Sequence, residues 1–334
     1  MRPEITTGVW DRLGDGPAGA SYTLPSVTAA GSAFGIEMLA ALSQRPRRIA
    51  PKFFYDEAGS ALFDRICDLP EYYPTRTEFG LLHAHAGEMA SLIGPAADIV
   101  EFGAGSLTKI RVLLDALPRP RRFVPVDISA EHLHASAVPL RRAYPGLEVL
   151  PLAGDFTAEL ALPASGHRIG FFPGSSIGNM DRDEALAFLR RCSGWLRGGG
   201  LLIGVDLVKD PRVLHAAYND SAGVTAAFNR NLLVRANREL GTDFVPEQFA
   251  HYAYYDPAQR RIEMHLVSRC KQRVHLGGRE FTFAEGESLH TENSHKYTVA
   301  DFRSLAAEAG FEPRAVWSDA QGRFSVHWLV APPA

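Results

Sequence analysis

The chain has 334 residues, of which 46% are hydrophobic and 22% charged, a composition typical of a globular protein and too apolar for a disordered one. Its 35 Lys and Arg against 38 Asp and Glu give a net charge of -3 at pH 7, so there is no basic excess to neutralise a nucleic acid backbone. No apolar run approaches the roughly 20 residues of a membrane-spanning helix, and no apolar signal segment follows the first residues. We therefore expect a cytoplasmic protein without a nucleic acid or membrane partner.

The first part of the chain contains few regular elements. Residues 1–33 are rich in Gly, Ala, Ser, Thr and Pro without a sustained period, which predicts a loosely ordered lead-in. Apolar spacing then predicts a helix over 34–42 and a second short helix over 61–67. Residues 69–76 contain two prolines, so we expect a loop there and a longer helix from 77 to 93.

The central part of the chain alternates between apolar strands and amphipathic helices. The predicted strands cover 98–102, 122–127, 147–152, 168–172 and 199–206. The predicted helices among them cover 108–117, 130–143 and 181–196. This alternation is typical of a parallel sheet with helices on both faces, whose ligands lie at the carboxyl ends of the strands.

The alternation stops after residue 207. Residues 211–240 are predicted to be helical. Beyond them the sequence predicts strands at 251–255 and 261–269, a hairpin at 273–275 and 280–283, a helix at 299–310 and a closing hairpin at 311–318 and 323–331. Because the last helix and hairpin belong with the sheet, we expect residues 208–297 to be an insertion that packs with the N-terminal segment as a second domain.

A glycine turn, Gly103-Ala104-Gly105, follows the first strand of the alternating region and precedes a helix. Glycines at this place let a ligand approach the backbone closely. The third glycine of the dinucleotide-binding pattern is missing, since Thr108 stands at its position, and this disfavours NAD. By itself the turn is equally consistent with a tight connection.

Acidic residues follow the next two strands. Asp127 can accept hydrogen bonds from both ribose hydroxyls of a nucleotide. Asp155 can accept a hydrogen bond from the exocyclic amine of adenine, with Phe156 against the ring. Each carboxylate could instead close a turn or cap a helix. However, a glycine turn and two acidic residues at three consecutive strand ends are the groups that S-adenosylmethionine binding requires, and together they favour this cofactor.

The fourth strand end separates two substrate classes. Methyltransferases that act on the exocyclic amines of nucleic acid bases carry an Asn/Asp-Pro-Pro-aromatic motif there, whereas this chain has the glycine-rich segment 173–179, which ends in Asn179. An amide can donate to a carboxylate and accept from an amine, which suits the main-chain groups of a free amino acid. The alternative is an Asx turn or a helix N-cap, a role that Asp181 fills equally well.

Eight segments of the chain together resemble the histidine Nα-methyltransferases of ergothioneine biosynthesis, and the similarity runs from about residue 34 to the C-terminus. The segments are 52–63, 69–78, 101–105, 173–179, 206–210, 217–229, 261–264 and 290–294. Those outside the nucleotide-binding part are the specific ones, since most methyltransferases lack them. The departures are modest: Phe102 stands where leucine is common, and Ala104 where serine is common.

The resemblance implies an α/β fold, with a seven-stranded class I methyltransferase (Rossmann-like) sheet and an inserted α+β substrate domain. After the lead-in of residues 1–33, it divides the chain into an S-adenosylmethionine-binding domain (76–207 plus 298–334) and a substrate-capping domain (34–75 plus 208–297). The implied reaction transfers methyl groups from S-adenosylmethionine to the α-amine of L-histidine three times. The product is hercynine, in the first step of ergothioneine biosynthesis. We expect a monomer whose partner is this small-molecule substrate.

The resemblance also implies where the two ligands bind. The substrate residues are Tyr72, Asn179 and Tyr218 for the amino and carboxylate groups, Glu292 and Ser294 for the imidazole, and Met264 for the pocket wall. Tyr55 is implied to line both the amine and the cofactor. The other cofactor residues are Gly103, Lys109, Asp127, Asp155 and Phe156. Asn293, between the two imidazole-binding residues, has no implied role.

The pair of Glu292 and Ser294 also has a physical argument of its own. Residues two apart on an extended segment point to the same side, and a neutral imidazole has one donor for a carboxylate and one acceptor for a hydroxyl. A ring without these groups would leave Glu292 buried and unpaired, and hydrogen-bonding sites of this kind reject wrong substrates by ~10⁴ or more. Alternatively, Glu292 is a solvated acid beside His290, His295 and Lys296.

A metal site is the third interpretation of this segment. It would use His290, Glu292 and His295, but the sequence shows no further ligand or supporting pattern. The three cysteines of the chain are widely scattered and lack CxxC spacing, so they predict no thiolate zinc site. We therefore expect no metal.

The attacking α-amine must be unprotonated, and we expect Tyr55 and Tyr72 to orient its lone pair while their ring faces tolerate the growing cation. Either hydroxyl could relay the proton, and packing is the alternative role for both residues. Two rival functions stay open. One is methylation of another free amino acid or of a histidine derivative, and the other is a non-catalytic binding module with the same fold.

Overall fold

The computed structural model of the protein describes residues 31–333, so residues 1–30 of the predicted lead-in lie outside the described part. The helices are α1 (Ala33–Ser43), α2 (Glu57–Cys67), α3 (Tyr73–Ile93), α4 (Lys109–Ala116), α5 (Ala130–Ala143), α6 (Arg182–Trp195), α7 (Pro211–Tyr218), α8 (Val224–Leu240) and α9 (Val299–Glu308). The strands are β1 (Arg47–Arg48), β2 (Asp98–Phe102), β3 (Arg122–Asp127), β4 (Glu148–Val149), β5 (Leu152–Ala153), β6 (Arg168–Phe172), β7 (Gly200–Asp206), β8 (Phe249–Asp256), β9 (Arg261–Ser268), β10 (Gln272–Leu276), β11 (Arg279–Phe283), β12 (Ser288–His295), β13 (Glu312–Ser318) and β14 (Phe324–Val330). Short 3₁₀ helices cover Pro51–Phe54, Ser176–Asn179 and Pro246–Gln248.

The larger sheet has the strand order β13-β14-β7-β6-β2-β3-β4, and β5 pairs with the far end of β3. Neighbours from β4 across to β7 run parallel, whereas β14 is antiparallel to both β7 and β13. β4 and β5 share one position, because Pro151 lacks an N–H and interrupts the single strand predicted at 147–152. The sheet therefore has seven strand positions, and the predicted class I methyltransferase fold is confirmed.

Two helices begin earlier than the sequence predicted, each for a local reason. α3 begins at Tyr73 because Pro74 lies in its first turn, where no backbone N–H is needed, so the predicted loop before it was too long. α2 begins at Glu57 because the Asp56 side chain caps it, accepting a backbone N–H of the first turn at 2.7 Å.

The smaller sheet has the order β1-β12-β9-β8, and the β10–β11 hairpin accompanies it. β12 was not among the predicted strands, although the sequence analysis treated its residues as extended. The helical stretch predicted at 211–240 is two helices, because Gly223, with φ of +71°, lies in the turn between α7 and α8. These elements share one core, in which Phe54, Phe228 and Phe249 are buried.

The two sheets have separate hydrophobic cores. The core of the smaller sheet draws its residues from 34–73 and 214–289, whereas the cores on the two faces of the larger sheet draw theirs from 81–205 and 302–331. This separation supports the two-domain division, whose boundaries stay a prediction. Within the described part of the chain, no helix combines the length and the apolar character that crossing a membrane requires.

The two halves of the molecule meet at the carboxyl ends of β6 and β7. Leu207, directly after β7, forms a parallel bridge with Tyr297, two residues beyond β12. The 3₁₀ helix Ser176–Asn179 packs so closely on β12 that a Cβ on Gly178 would lie 2.8 Å from the His295 carbonyl oxygen. This close approach requires glycine and brings the strand ends of the larger sheet beside β12.

Candidate active site

A pocket lies between the strand ends of the larger sheet and the smaller sheet, with about 430 Å³ of space when its solvent-open part is included. Its lining includes these predicted site residues: Tyr55, Tyr72, Asn179, Tyr218, Glu292 and Ser294. The other lining residues are Phe63, Pro74, Gly174, Ser175, Ser176, Asp206 and Lys296. Asn179 and Glu292 come from opposite sides of the junction and therefore face one space.

Met264 lines an adjoining pocket, with about 280 Å³ of space including its solvent-open part, rather than the first one. Tyr72, Tyr218 and Glu292 line both cavities. Met264 is also the partner of Glu292 in the pairing of β9 with β12. The structure thus places Met264 beside the Glu292 carboxyl group, at an apolar wall that continues from the main cavity.

A β-bulge in β12 sets the direction of the two predicted imidazole-binding side chains. The pairing with β9 shifts between His290 and Glu292, which leaves Thr291 as the extra residue. The Thr291 hydroxyl lies 2.8 Å from Asn229 Oδ1, a contact that holds the bulge in place. Beyond the bulge, regular pairing keeps Glu292 and Ser294 on the same face of the strand.

The Glu292 carboxyl group is almost fully buried at the edge of the cavity. Burial raises its pKa to about 7, against the lowering influence of the Lys296 ammonium. Its side chain makes no hydrogen bond to any other side chain of residues 31–333, so its oxygens are available to a ligand. The solvated-acid alternative is therefore not what the structure shows.

Tyr55 and Tyr72 form an aromatic wall with Phe63. The ring centroid of Phe63 lies 5.6 Å from that of Tyr55 and 6.3 Å from that of Tyr72, both in edge-to-face contact. Burial raises the pKa of both phenols well above the ordinary value, and the charge of Glu292 adds to the effect. At neutral pH both hydroxyls stay protonated, so they act as neutral hydrogen-bonding groups rather than as phenolate bases.

A buried charged cluster, not predicted from the sequence, lies next to this wall. It is formed by Asp206, Lys209, Tyr218, Ser294 and Lys296. The Lys296 ammonium lies 2.8 Å from Asp206, and both side chains are almost fully buried. Lys296 also donates to Ser294 Oγ at 2.7 Å and to the Tyr218 hydroxyl at 3.2 Å, and Tyr218 donates to Ser294 at 2.7 Å. The available signal in the sequence was Asp206 at a strand end with Lys209 three residues further on. The second lysine partner, Lys296, comes from the other end of the insertion, so nothing local predicts it.

Asp181, not Asn179, caps α6. The Asp181 side chain accepts from the Glu184 N–H at 3.0 Å, and the Glu184 side chain accepts from the Asp181 N–H at 2.8 Å, which completes a capping box. The Asn179 side chain makes no hydrogen bond within residues 31–333 and lines the cavity. The helix-cap role is filled by its neighbour, so the Asn179 amide is free to bind a ligand.

The glycine turn after β2 fits a ligand that approaches the backbone. Gly103 and Gly105 have φ of +69° and +41°, in the left-handed region that favours glycine. A Cβ on Gly103 would lie 3.4 Å from the Phe156 ring, so a larger residue would crowd the space between the turn and that ring. This open cradle fits the nucleoside part of S-adenosylmethionine.

Asp127 and Asp155 both make turn-closing hydrogen bonds. Each accepts from the backbone N–H two residues ahead, at 2.9 Å for Asp127 and 2.8 Å for Asp155. The second oxygen of Asp127 faces the Gly105 N–H at 3.4 Å, and that of Asp155 accepts from Lys52 at 3.2 Å. The turn-closing alternative is thus realised for both, and each carboxylate still has one oxygen directed away from its turn.

Lys109 connects the glycine turn with the fourth strand end. Its ammonium pairs with the buried Glu78 carboxylate at 2.6 Å, and Glu78 accepts from the Gly174 N–H at 2.9 Å. A Cβ on Gly174 would lie 3.4 Å from Lys109 Nζ. The lysine therefore lies between the two segments that the sequence analysis associated with cofactor and substrate.

Glu263, His265 and His290 form a group with the composition of a metal site, with ligand atoms within 4.8 Å of one another. The Glu263 carboxylate already accepts from Arg261 and Tyr254, both at 2.8 Å, and contacts His265 at 3.0 Å. Although burial opposes the charge of Glu263, these partners lower its pKa to about 2. The protein's own donors satisfy the group, and the absence of a metal stays a prediction.

A seven-position sheet of this order, with a glycine turn and acidic residues at the ends of its first strands, is that of an S-adenosylmethionine-dependent methyltransferase. Residues 34–331 match the family model described as "Histidine-specific methyltransferase, SAM-dependent". The chain belongs to this family.

Named relatives cover most of the chain. A histidine N-alpha-methyltransferase of Mycobacterium tuberculosis is 42% identical, over 87% of this chain and 92% of its own length. A protein of the same name from Mycolicibacterium smegmatis is 41% identical, over 88% of this chain and 94% of its own length. Ergothioneine biosynthesis protein 1 of Neurospora crassa is 32% identical, over 82% of this chain and 32% of its own length.

Proposed function

We propose that the protein transfers methyl groups from S-adenosylmethionine to the α-amine of L-histidine three times, giving hercynine as the first step of ergothioneine biosynthesis. The observation that carries the proposal is one cavity lined by Glu292 and Ser294 from β12 and by Asn179 from the fourth strand end. Relatives named for histidine methylation and for ergothioneine biosynthesis support it. In the same proposal, the domain that contains residues 34–75 and 208–297 caps the substrate.

Glu292 and Ser294 bind the imidazole in this proposal. The carboxylate accepts the ring N–H, and the Ser294 hydroxyl donates to the other ring nitrogen. Met264 supplies an apolar surface beside the carboxyl group. An amino acid with an apolar ring would leave the buried carboxyl group of Glu292 without a partner, and such sites discriminate by ~10⁴ or more.

Asn179 and Tyr72 hold the main-chain groups of the amino acid. The Asn179 amide can donate to the carboxylate and accept from the amine. The ring centroids of Tyr72 and Tyr218 lie 6.4 Å apart, so the two tyrosines form one continuous side of the cavity. Because the Tyr218 hydroxyl donates to Ser294, Tyr218 supports the imidazole side as well.

The residues proposed to hold S-adenosylmethionine are Gly103, Lys109, Asp127, Asp155 and Phe156, together with Tyr55 where the cofactor meets the amine. When bound, its sulfonium supplies an activated methyl group. The ribose hydroxyls suit the Asp127 carboxylate, and the adenine suits Asp155 and Phe156. The open glycine turn at Gly103 leaves room for the nucleoside.

Tyr55 and Tyr72 prepare the α-amine for attack. Methyl transfer is an in-line displacement, so holding the lone pair in the right direction contributes much of the rate. The two neutral hydroxyls orient the amine. One of them relays the proton that the amine loses: it accepts that proton as it passes its own toward solvent, so the hydroxyl stays neutral. The aromatic faces stabilise the positive charge that remains on the nitrogen after the third transfer.

Mass spectrometry of histidine incubated with the protein and S-adenosylmethionine tests the proposal. We expect products with one, two and three added methyl groups in turn, with the trimethylated product dominant at the end. The other common amino acids, tryptophan included, serve as controls under the same conditions. Preferred methylation of another amino acid or of the imidazole ring would contradict the proposal, as would a lack of both methylated product and S-adenosylhomocysteine binding.

A further inference from the structure

The buried charged cluster fixes which hydrogen bonds remain for a ligand. Lys296 has three N–H bonds, and these reach Asp206 at 2.8 Å, Ser294 Oγ at 2.7 Å and the Tyr218 hydroxyl at 3.2 Å. An ammonium only donates, so both hydroxyl oxygens must accept from it. Burial alone would lower the pKa of Lys296, but Asp206 and Tyr218 raise it above its ordinary value, so the ammonium stays charged.

The hydrogen bonds at Ser294 follow from this arrangement. Tyr218 donates to Ser294 Oγ at 2.7 Å, so this oxygen accepts two hydrogen bonds and both of its lone pairs are used. Ser294 lines the cavity, and its own hydroxyl proton is the one group it has left for a ligand. Across the same cavity, the Glu292 carboxylate can accept.

We propose that Lys296 is a positioning residue that leaves the Ser294 hydroxyl able only to donate a hydrogen bond to a ligand. The site is thereby restricted to a neutral imidazole. The inference rests on the proposed function, since it takes histidine as the ligand. A neutral ring has one nitrogen that accepts from Ser294 and one N–H that donates to Glu292. An imidazolium has two N–H groups, one of which would face the Ser294 proton with the Lys296 ammonium behind it.

Charged and titratable groups surround Lys296 on several elements. Those that face it or its partners are Tyr73 of α3, Asp206 and Lys209 at and after β7, Tyr218 of α7, Tyr255 of β8, and Glu292 and His295 of β12. Asp206 is also bound by Lys209 at 2.5 Å and by Tyr73 at 2.7 Å, so it keeps two partners when Lys296 is replaced. Lys296→Met therefore leaves no buried carboxylate unpaired.

The test measures the dissociation constant of histidine by calorimetry at pH 7.5 and pH 5.5, with the protein saturated with S-adenosylhomocysteine. For the wild type we expect the affinity to fall about tenfold or more, because the neutral fraction of an imidazole with a pKa near 6.5 falls about tenfold over this range. Glu292, with its pKa of about 7, also gains a proton over this range and adds to the fall. Lys296→Met frees hydroxyl lone pairs that can accept from an imidazolium, so its affinity should fall at least about threefold less than that of the wild type over the same pH range. Lys296→Arg keeps the charge and the N–H donors, so its affinity for histidine should fall between pH 7.5 and pH 5.5 as much as that of the wild type.

Lys209→Met is the matched control. It removes another mostly buried lysine from the same Asp206 carboxylate. Lys209 makes no hydrogen bond to Ser294 or Tyr218, so this variant should keep the wild-type pH dependence. A change at Glu292 cannot imitate the expected result. Loss of the Lys296 charge would raise the pKa of Glu292, which steepens the loss of affinity at low pH rather than flattening it.

A second variant covers the case in which Lys296→Met does not fold. Tyr218→Phe frees one lone pair of Ser294 without changing any charge, and it should also flatten the pH dependence. If folded Lys296→Met loses as much affinity at pH 5.5 as the wild type, the inference is overturned. If Lys296→Met does not fold, the same result in Tyr218→Phe overturns it. A wild-type protein that binds no histidine at either pH overturns instead the proposed function on which the inference rests.

Discussion

The cofactor side and the substrate side of the cavity are built from different kinds of contact. On the cofactor side, Asp127 and Asp155 each bond to a backbone N–H two residues ahead. On the substrate side, Tyr218 and Ser294 meet at Lys296 only because the insertion folds back onto the end of β7. A turn forms from local sequence, whereas the substrate side exists only when both halves of the molecule are packed together. Changes on the two sides should therefore have separable effects.

The largest effect is expected from Glu292→Ala, which alters the substrate side alone. The value of kcat/KM for histidine should fall by ~10³ or more, because the imidazole N–H loses its acceptor in a buried site. The affinity for S-adenosylhomocysteine should change little. Glu285→Ala, at an exposed position in the segment before β12, is the control. A fall of less than about tenfold in kcat/KM would show that Glu292 does not bind the imidazole.

The same carboxyl group should give the ligand-free protein a pH-dependent stability. Burial raises the pKa of Glu292 from 4.5 to about 7, so the folded state binds this proton more tightly than the unfolded state. The stabilisation that the bound proton gives to the folded state is complete below the unfolded-state pKa of Glu292. It is lost as the pH rises through the folded-state pKa. The free energy of unfolding should fall by up to about 3 kcal/mol over that range. Urea unfolding at pH 5 and pH 8 measures it, and Glu292→Gln should remove most of the difference.

Asn179 and its neighbour Asp181 should separate binding from stability. Asn179→Ala should raise KM for histidine about 10- to 100-fold, because a charged group of the substrate loses a hydrogen bond. Asp181→Ala should leave KM unchanged and lower the free energy of unfolding by about 1 kcal/mol, because it removes the cap of α6. Steady-state kinetics and urea unfolding of both variants measure this. If Asn179→Ala lowered the free energy of unfolding without changing KM, Asn179 would have a structural role instead.

Tyr72 and Tyr73 provide a similar pair on the substrate side. Tyr72→Phe should slow each methylation step about tenfold, because the amine loses one orienting hydrogen bond. Tyr73→Phe removes a hydroxyl that bonds to Asp206 at 2.7 Å instead, so it should affect stability more than the rates. Single-turnover experiments with histidine and with its monomethyl and dimethyl forms measure the steps separately. Unchanged rates in Tyr72→Phe at every step would rule out the orienting role.

The contrast between locally formed elements and contacts across the packed fold also explains which features of the fold and of the site could be predicted from the sequence. The predicted bounds of β3 and α5 agree with the structure, because both are set by a local apolar period. The early start of α3 was missed because a proline usually indicates that a helix is interrupted. Pro74 lies in the first helical turn, where proline is tolerated. From the sequence, Lys296 was named only as a neighbour of Glu292 in the solvated-acid alternative. Nothing local in the sequence shows that Lys296 is buried against Asp206. Charge pairs that form only in the packed fold leave no period or spacing to detect.

The smallest effect is expected from Lys52→Ala, on the cofactor side. Lys52 and Asp155 are each about one-third exposed and lie 3.2 Å apart, and such pairs contribute about 1 kcal/mol or less. Removing the lysine frees a carboxylate oxygen for the adenine amine, so the affinity for S-adenosylhomocysteine should rise about two- to fivefold at low salt and less at high salt. Calorimetry measures this, with the exposed Lys271→Ala as control. A fall in affinity would instead mean that Lys52 itself contacts the cofactor. The cofactor side would then depend, like the substrate side, on residues from both halves of the molecule.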